Sequence, residues 1–188
     1  MEGILVKELI ISKRLSRAIA VVTFIILTGL GGFVRIPLPF TPVPLTLQTF
    51  FVLLGAACLG GSLGSLSQLG YLGLGISGLP IFTAAGSGLL YLCGPTGGYL
   101  FGFILASLFV GRFIRYARGS FILTLTVLFA GDLLILGCGV IWLRLILAQP
   151  LSKTLLIGFI PFLPGDFLKA LSASAIYLRL KTRIKEIL

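Results

Sequence analysis

Residues 159–178 read FIPFLPGDFLKALSASAIYL. The stretch is apolar and long enough to cross a membrane, which takes roughly 20 such residues. It nevertheless carries two opposite charges, Asp166 and Lys169, about one helical turn apart. A charge at the centre of a membrane helix costs on the order of 2.5–3.5 kcal/mol on insertion scales, so such residues pair, face an interior cavity or serve a ligand. The i, i+3 spacing puts both on one face. Pro161 and Pro164 cannot donate an intrahelical hydrogen bond, so the helix is expected to break there and restart near Pro164. Asp166 then falls in a first helical turn, where the positive end of the dipole favours a carboxylate. Counting back from Arg179 at ~1.5 Å per residue places Asp166 roughly 20 Å from the inner boundary, in the outer half of a ~30 Å hydrocarbon core.

The rest of the chain shares this character. Of its 188 residues 57% are hydrophobic and 11% charged, against about 25% charged in a soluble domain; the mean hydropathy is +1.16. The fold class is all-α integral membrane protein, a single membrane domain over 1–188. Apolar runs place six spans at about 16–33, 46–61, 63–79, 96–117, 120–147 and 154–178, with ends uncertain by roughly 2–4 residues. The first run resembles a signal peptide, but no small-residue cleavage site follows it and cleavage is not expected.

Charge sets the orientation. Lys7, Lys13, Arg14 and Arg17 precede span one, Arg112, Arg115 and Arg118 end span four, and Arg179, Lys181, Arg183 and Lys185 follow span six. With six spans all of these fall on one side, the cytoplasm, and both chain ends lie inside. The outer side has Arg35, Arg144 and Lys153. The net charge of +10 is therefore topology, not a nucleic-acid surface. The expected location is the cell membrane of a prokaryote, the surroundings a lipid bilayer. Cys58, Cys93 and Cys138 are scattered and odd in number, which argues against a disulfide frame or a metal site. There is no histidine, so the commonest general base is missing.

Two outer connections differ from ordinary loops. Arg35–Pro44, RIPLPFTPVP, has four prolines in its last eight residues and one charge. Proline forbids a helix and favours extended backbone; a segment this apolar is either a lid over something apolar or a rigid linker. Leu79–Tyr99 contains AAGSG at 84–88 and GPTGG at 94–98. Irregular backbone at membrane depth survives only where it lines a cavity or is buried in protein, so this stretch is helix packing or a cavity wall. Gly98 and Gly102 have the spacing of close helix contact. The other intramembrane acid, Asp132, could partner Lys169 and leave Asp166 for a ligand, or could serve structure by capping a backbone break or pairing with Arg144.

No Walker A loop, H-E-x-x-H or G-x-S-x-G is present, so neither ATP binding nor the common hydrolase chemistries are encoded. Asp132 and Asp166 could share a proton as an aspartyl dyad, but a lysine beside Asp166 favours its charged form. No enzyme activity and no cofactor are expected. A self-sufficient carrier or channel for a small amphipathic carboxylate is the alternative, though carriers often show internal repeats and none is evident. An apolar pocket with a few polar groups, built to capture a small amphipathic ligand, fits better.

The strings VRIPLPFTPVPLTLQT at 34–49, GPTGGYL at 94–100, GDL at 131–133 and LPGDFLK at 163–169 together resemble the BioY biotin transporters. These are substrate-capture (S) components of energy-coupling factor (ECF) transporters. The resemblance runs over roughly 16–178, with the motifs in the family's order. It implies a six-helix S component holding biotin near the outer face, with Asp166 and Lys169 contacting the vitamin. It also implies a membrane coupling subunit and two ATPase subunits as partners. The further candidates for the substrate site are Phe40, Thr41, Gln48, Ser87, Tyr91, Tyr99 and Asp132. Two departures stand out. Family pockets can use polar or basic residues between spans three and four, but no charged residue occurs here between Arg35 and Arg112, leaving Thr83, Ser87 or Tyr91 to substitute. S components often dock through an A-x-x-x-A surface on the first helix; here Val22 follows Ala18 at that spacing, and Phe24 follows Ala20.

Overall fold

The structure is a computed structural model that describes residues 2–187, with side chains described over 13–184. The side chains of Lys7 and Lys185, both in the charge tally above, lie outside that range. The chain runs α1 (Glu2–Phe33), β1 (Arg35–Ile36), β2 (Leu45–Thr46), α2 (Gln48–Ile76), α3 (Leu89–Leu92), α4 (Gly97–Phe113), α5 (Phe121–Leu147), α6 (Leu151–Gly158) and α7 (Leu163–Ile187). Single 3₁₀ turns stand at Thr83–Ala85 and Ile114–Ala117.

Among the described residues, Lys13–Phe33, Gln48–Ile76, Gly97–Ala117 and Phe121–Leu147 are each long and apolar enough to cross a membrane, and α6 with α7 forms a fifth crossing bent by 50°. The sixth comes from within α2. At Gly60 the backbone leaves the helix with φ 78° and ψ 176°, angles open to glycine at no steric cost. The chain doubles back there. A Cβ on Gly64 would lie 3.0 Å from Cα of Ala56, and Gln48 Nε2 donates to the Tyr71 hydroxyl at 2.5 Å. In a straight helix those two residues would be roughly 35 Å apart. The expected spans two and three are therefore the arms 48–59 and 61–76, joined by a one-residue turn. This is the expected six-span all-α architecture.

Close packing at the inner end depends on glycine as well. A Cβ on Gly111 of α4 would collide with the backbone of Gly60 and Gly61, so α4 touches the reversal directly. On the outer half of α4, Gly98 and Gly102 face α5; a Cβ on Gly102 would stand 2.9 Å from Cα of Ile135. The core between these helices is apolar and sealed: Val52, Leu53, Ala106, Val110, Leu128, Ile135 and Ala173 are fully buried. Leu15, Ile19, Val22, Ile26 and Leu30, in contrast, are exposed along α1, as lipid contact requires.

One difference from the expected spans has a simple cause, and the expected break in the last span is present. α1 begins and α7 ends beyond the apolar runs, so their basic residues continue the helices instead of leaving them. The last span is broken over 159–162, where Pro161 removes a donor and Pro164 sits in the opening turn of α7. Strands 35–36 and 45–46 pair as a two-stranded antiparallel hairpin, with Arg35 opposite Thr46 and Ile36 opposite Leu45; the prolines between them form a loop of turns and bends, where extended backbone was expected.

Candidate functional site

At the outer end of the bundle α2, α4, α5 and α7 enclose a cavity of about 50 Å³. Its wall is mostly apolar: Val43, Pro44 and Leu45 from the hairpin, Leu100 and Phe103 from α4, Leu136 from α5, and Phe162 from the break before α7. Polar groups enter from Thr46, Gln48, Thr49, Thr83, Tyr91, Thr96 and Tyr99, and charge from Asp166 and Lys169.

Asp166 stands in the first turn of α7, its backbone N–H bonded to the Phe162 carbonyl at 2.9 Å. The residue is 1% exposed. Lys169 Nζ donates to its Oδ1 at 2.7 Å. Thr49 closes a triangle: its hydroxyl donates to the same Oδ1 at 3.3 Å and accepts from Lys169 Nζ at 3.1 Å. The charges cancel at short range in a low-dielectric setting, while spare donor capacity on the ammonium and the second carboxylate oxygen remain for a ligand.

Gln48, next to Thr49 on α2, organises a second polar group. Besides its bond to Tyr71, its Oε1 accepts from Thr83 Oγ1 at 2.9 Å and from Thr46 Oγ1 at 3.3 Å. Tyr71 in turn donates to the Ile81 carbonyl at 3.2 Å. This network ties the hairpin and the 77–96 connection to α2. Tyr91 stacks on Phe82 with ring centroids 5.0 Å apart and donates to the Thr83 carbonyl at 3.2 Å. Tyr99 donates to the Gly158 carbonyl at 2.7 Å, an acceptor left free by the helix break. The glycine-rich connection is thus a cavity wall, not a solvated loop.

The structure brings together Asp166, Lys169, Gln48, Tyr91 and Tyr99. Four expected residues fall elsewhere. Phe40 is at the hairpin tip and 56% exposed, because the hairpin turns its later residues inward. Thr41 accepts from the Val43 N–H at 3.2 Å and shapes that turn. Ser87 is exposed. Asp132 is completely buried one turn below Leu136, and neither of its oxygens has a hydrogen-bond partner among the described residues. It lies close enough to Asp166 and Lys169 to feel both charges but does not line the cavity. The sequence reading missed Thr49, Thr46, Val43, Leu45, Thr96, Phe103, Leu136 and Phe162. Thr49 had a usable signal, a hydroxyl beside Gln48 at the outer end of an apolar span. The apolar wall residues had none, since in a membrane protein they read like any others.

Residues 6–186 match the model of the BioY family. The chain belongs to the BioY family. Among BioY relatives, it is 41% identical over 158 residues to the biotin transporter BioY of Thermotoga maritima, covering 84% of this chain and 91% of that one. It is 38% identical to a probable biotin transporter BioY of Pyrococcus horikoshii, covering 86% and 93%. The fold superposes on a crystal structure of the S-component for biotin from an ECF-type ABC transporter with a TM-score of 0.85 at 26% identity, covering 90% of this chain and 92% of that one. This BioY chain is a multi-pass membrane protein, and it resembles transporters rather than enzymes.

Proposed function

We propose that the chain captures biotin at the outer face of a prokaryotic cell membrane and carries it inward as the S component of an ECF transporter. A membrane coupling subunit and two ATPase subunits supply the energy, in keeping with the lack of a Walker A loop in this chain. The observation that carries this reading is the neutral Asp166–Lys169–Thr49 cluster at the end of an apolar cavity. A ureido ring both donates and accepts hydrogen bonds, and an ion pair offers an acceptor and a donor side by side. The apolar walls suit the thiophane ring and the acid chain.

At about 50 Å³ the cavity is narrower than the ~300–1,000 Å³ of ordinary ligand pockets. Binding therefore has to part its walls. The movable ones are the hairpin residues 43–46 and the 83–96 stretch, since the other walls are long packed helices. Reclosure over biotin excludes water and strengthens the polar contacts.

The test is transport by reconstituted vesicles. With the coupling and ATPase subunits present, biotin accumulation should require ATP; the chain alone should bind biotin without accumulating it. Net flux by the chain alone would favour the self-sufficient carrier. Failure of the full assembly to move biotin, with binding intact, would remove the proposed partners.

A further inference from the structure

A cation stands at the mouth of the cavity with no ion-pair partner among the described residues. Arg35 lies on β1 opposite Thr46, and Thr46 lines the cavity. Arg35 also borders a second, more open recess of about 260 Å³. Pro44, Thr83, Tyr91 and Thr96 line both spaces, so the recess is the vestibule of the cavity and these four residues form the neck between them.

Among the described residues no acid pairs with Arg35. The chain has five, Glu2, Glu8, Asp132, Asp166 and Glu186. The glutamates belong to the inner ends of α1 and α7, and the aspartates lie within the bundle. Asp166 is itself paired with Lys169. Of the three outer cations only Arg35 borders the vestibule; Arg144 and Lys153 do not.

The other end of the cavity is unsuited to a carboxylate. Lys169 is already neutralised at 2.7 Å, and Asp166 would repel a second anion. We propose that Arg35 is the carboxylate-recognition residue. Resting on the biotin reading above, the ligand lies with its ureido ring at Asp166, Lys169 and Thr49, its acid chain through the neck and its carboxylate in the vestibule against Arg35. Contacts set the span: Gly165 packs on Leu45 of β2, within reach of a 3.2 Å Cβ contact, and β1 is the next strand. β1 lies one strand spacing, about 5 Å, beyond β2, so the two stations are close enough for a bicyclic head with a five-carbon acid chain to bridge. An exposed cation on an acid-free outer face would additionally speed capture of an anionic vitamin.

Equilibrium binding of biotin and of biotin methyl ester, to the wild type and to Arg35→Gln and Arg35→Lys, tests the assignment. The wild type should prefer biotin over the ester by about tenfold, the scale of one charge-assisted contact. Arg35→Gln should lose that preference by weakening biotin alone, and Arg35→Lys should keep part of it. The preference should shrink as ionic strength rises. Wild-type affinity for biotin in Arg35→Gln, or equal weakening of acid and ester, would overturn the role of Arg35 and leave the biotin site standing. A wild type that binds neither ligand would overturn the biotin reading itself.

Discussion

Replacing Lys169 by methionine removes the ammonium but keeps most of the side chain's length and apolar stem. Asp166, 1% exposed, is left with the Thr49 hydroxyl as its only side-chain donor, and Asp132 lies nearby as a second buried acid. Breaking a buried pair on one side costs about 3–5 kcal/mol. The Lys169 side chain is 12% exposed and Thr49 remains, so the lower end, ~3 kcal/mol, is expected. At ~2–4 °C per kcal/mol for a chain of this length, the melting temperature should fall by roughly 6–12 °C. Asp166→Leu should cost less, because the stranded ammonium keeps Thr49 and some water. The double variant Asp166→Leu, Lys169→Met replaces the pair by packed apolar groups and should recover most of the loss. Stability in mild detergent, followed by size-exclusion chromatography after heating, gives the cycle; biotin binding gives function, which should be weakened in all three variants. Additive destabilisation, with the double variant the least stable, would show that the two charges do not compensate each other.

Thr49→Val keeps shape and removes the hydroxyl that bridges the pair; biotin affinity should fall by about tenfold with folding intact, as read by isothermal titration. Leu45→Ala should speed biotin release more than Phe40→Ala, since Leu45 lines the cavity and Phe40 points outward; stopped-flow displacement would show the order, and the reverse order would make the hairpin tip the lid. Gly111→Ala forces a Cβ into the backbone of Gly60 and Gly61, whereas a Cβ on Gly137 meets nothing. The first should sharply reduce the yield of monodisperse protein, and Gly137→Ala should be neutral or stabilising by about 0.5–1 kcal/mol.

The fold was legible because a bilayer imposes coarse rules. Apolar runs of about 20 residues mark crossings, basic residues mark the inside, and Pro161 with Pro164 announced the break that frees the Gly158 carbonyl for Tyr99. Asp166 and Lys169 were legible because charge in lipid has few innocent explanations. Less could be read where apolar residues abound. Nothing in the sequence separates Leu136, which faces the cavity, from Leu134, which is exposed; helix rotation decides that, and packing against α4 and α7 sets rotation. The proline hairpin was read as extended, but which residues it turns inward depends on the register Arg35–Thr46, a non-local pairing. Asp132 drew notice as a charge in lipid, and only the packed bundle puts it below the cavity floor.

The central claim is that this chain, by itself, holds biotin through Asp166 and Lys169. Equilibrium binding of radiolabelled biotin to the purified protein in mild detergent, without ATP and against thiamine and riboflavin as competitors, tests it most directly. Saturable binding that neither competitor displaces is expected, weakened by roughly 1.5–3 kcal/mol in Asp166→Asn and in Lys169→Ala and kept within about tenfold in Cys58→Ser and Cys138→Ser. Folded wild-type protein that shows no saturable biotin binding, or Asp166 and Lys169 variants that bind as the wild type does, would contradict it.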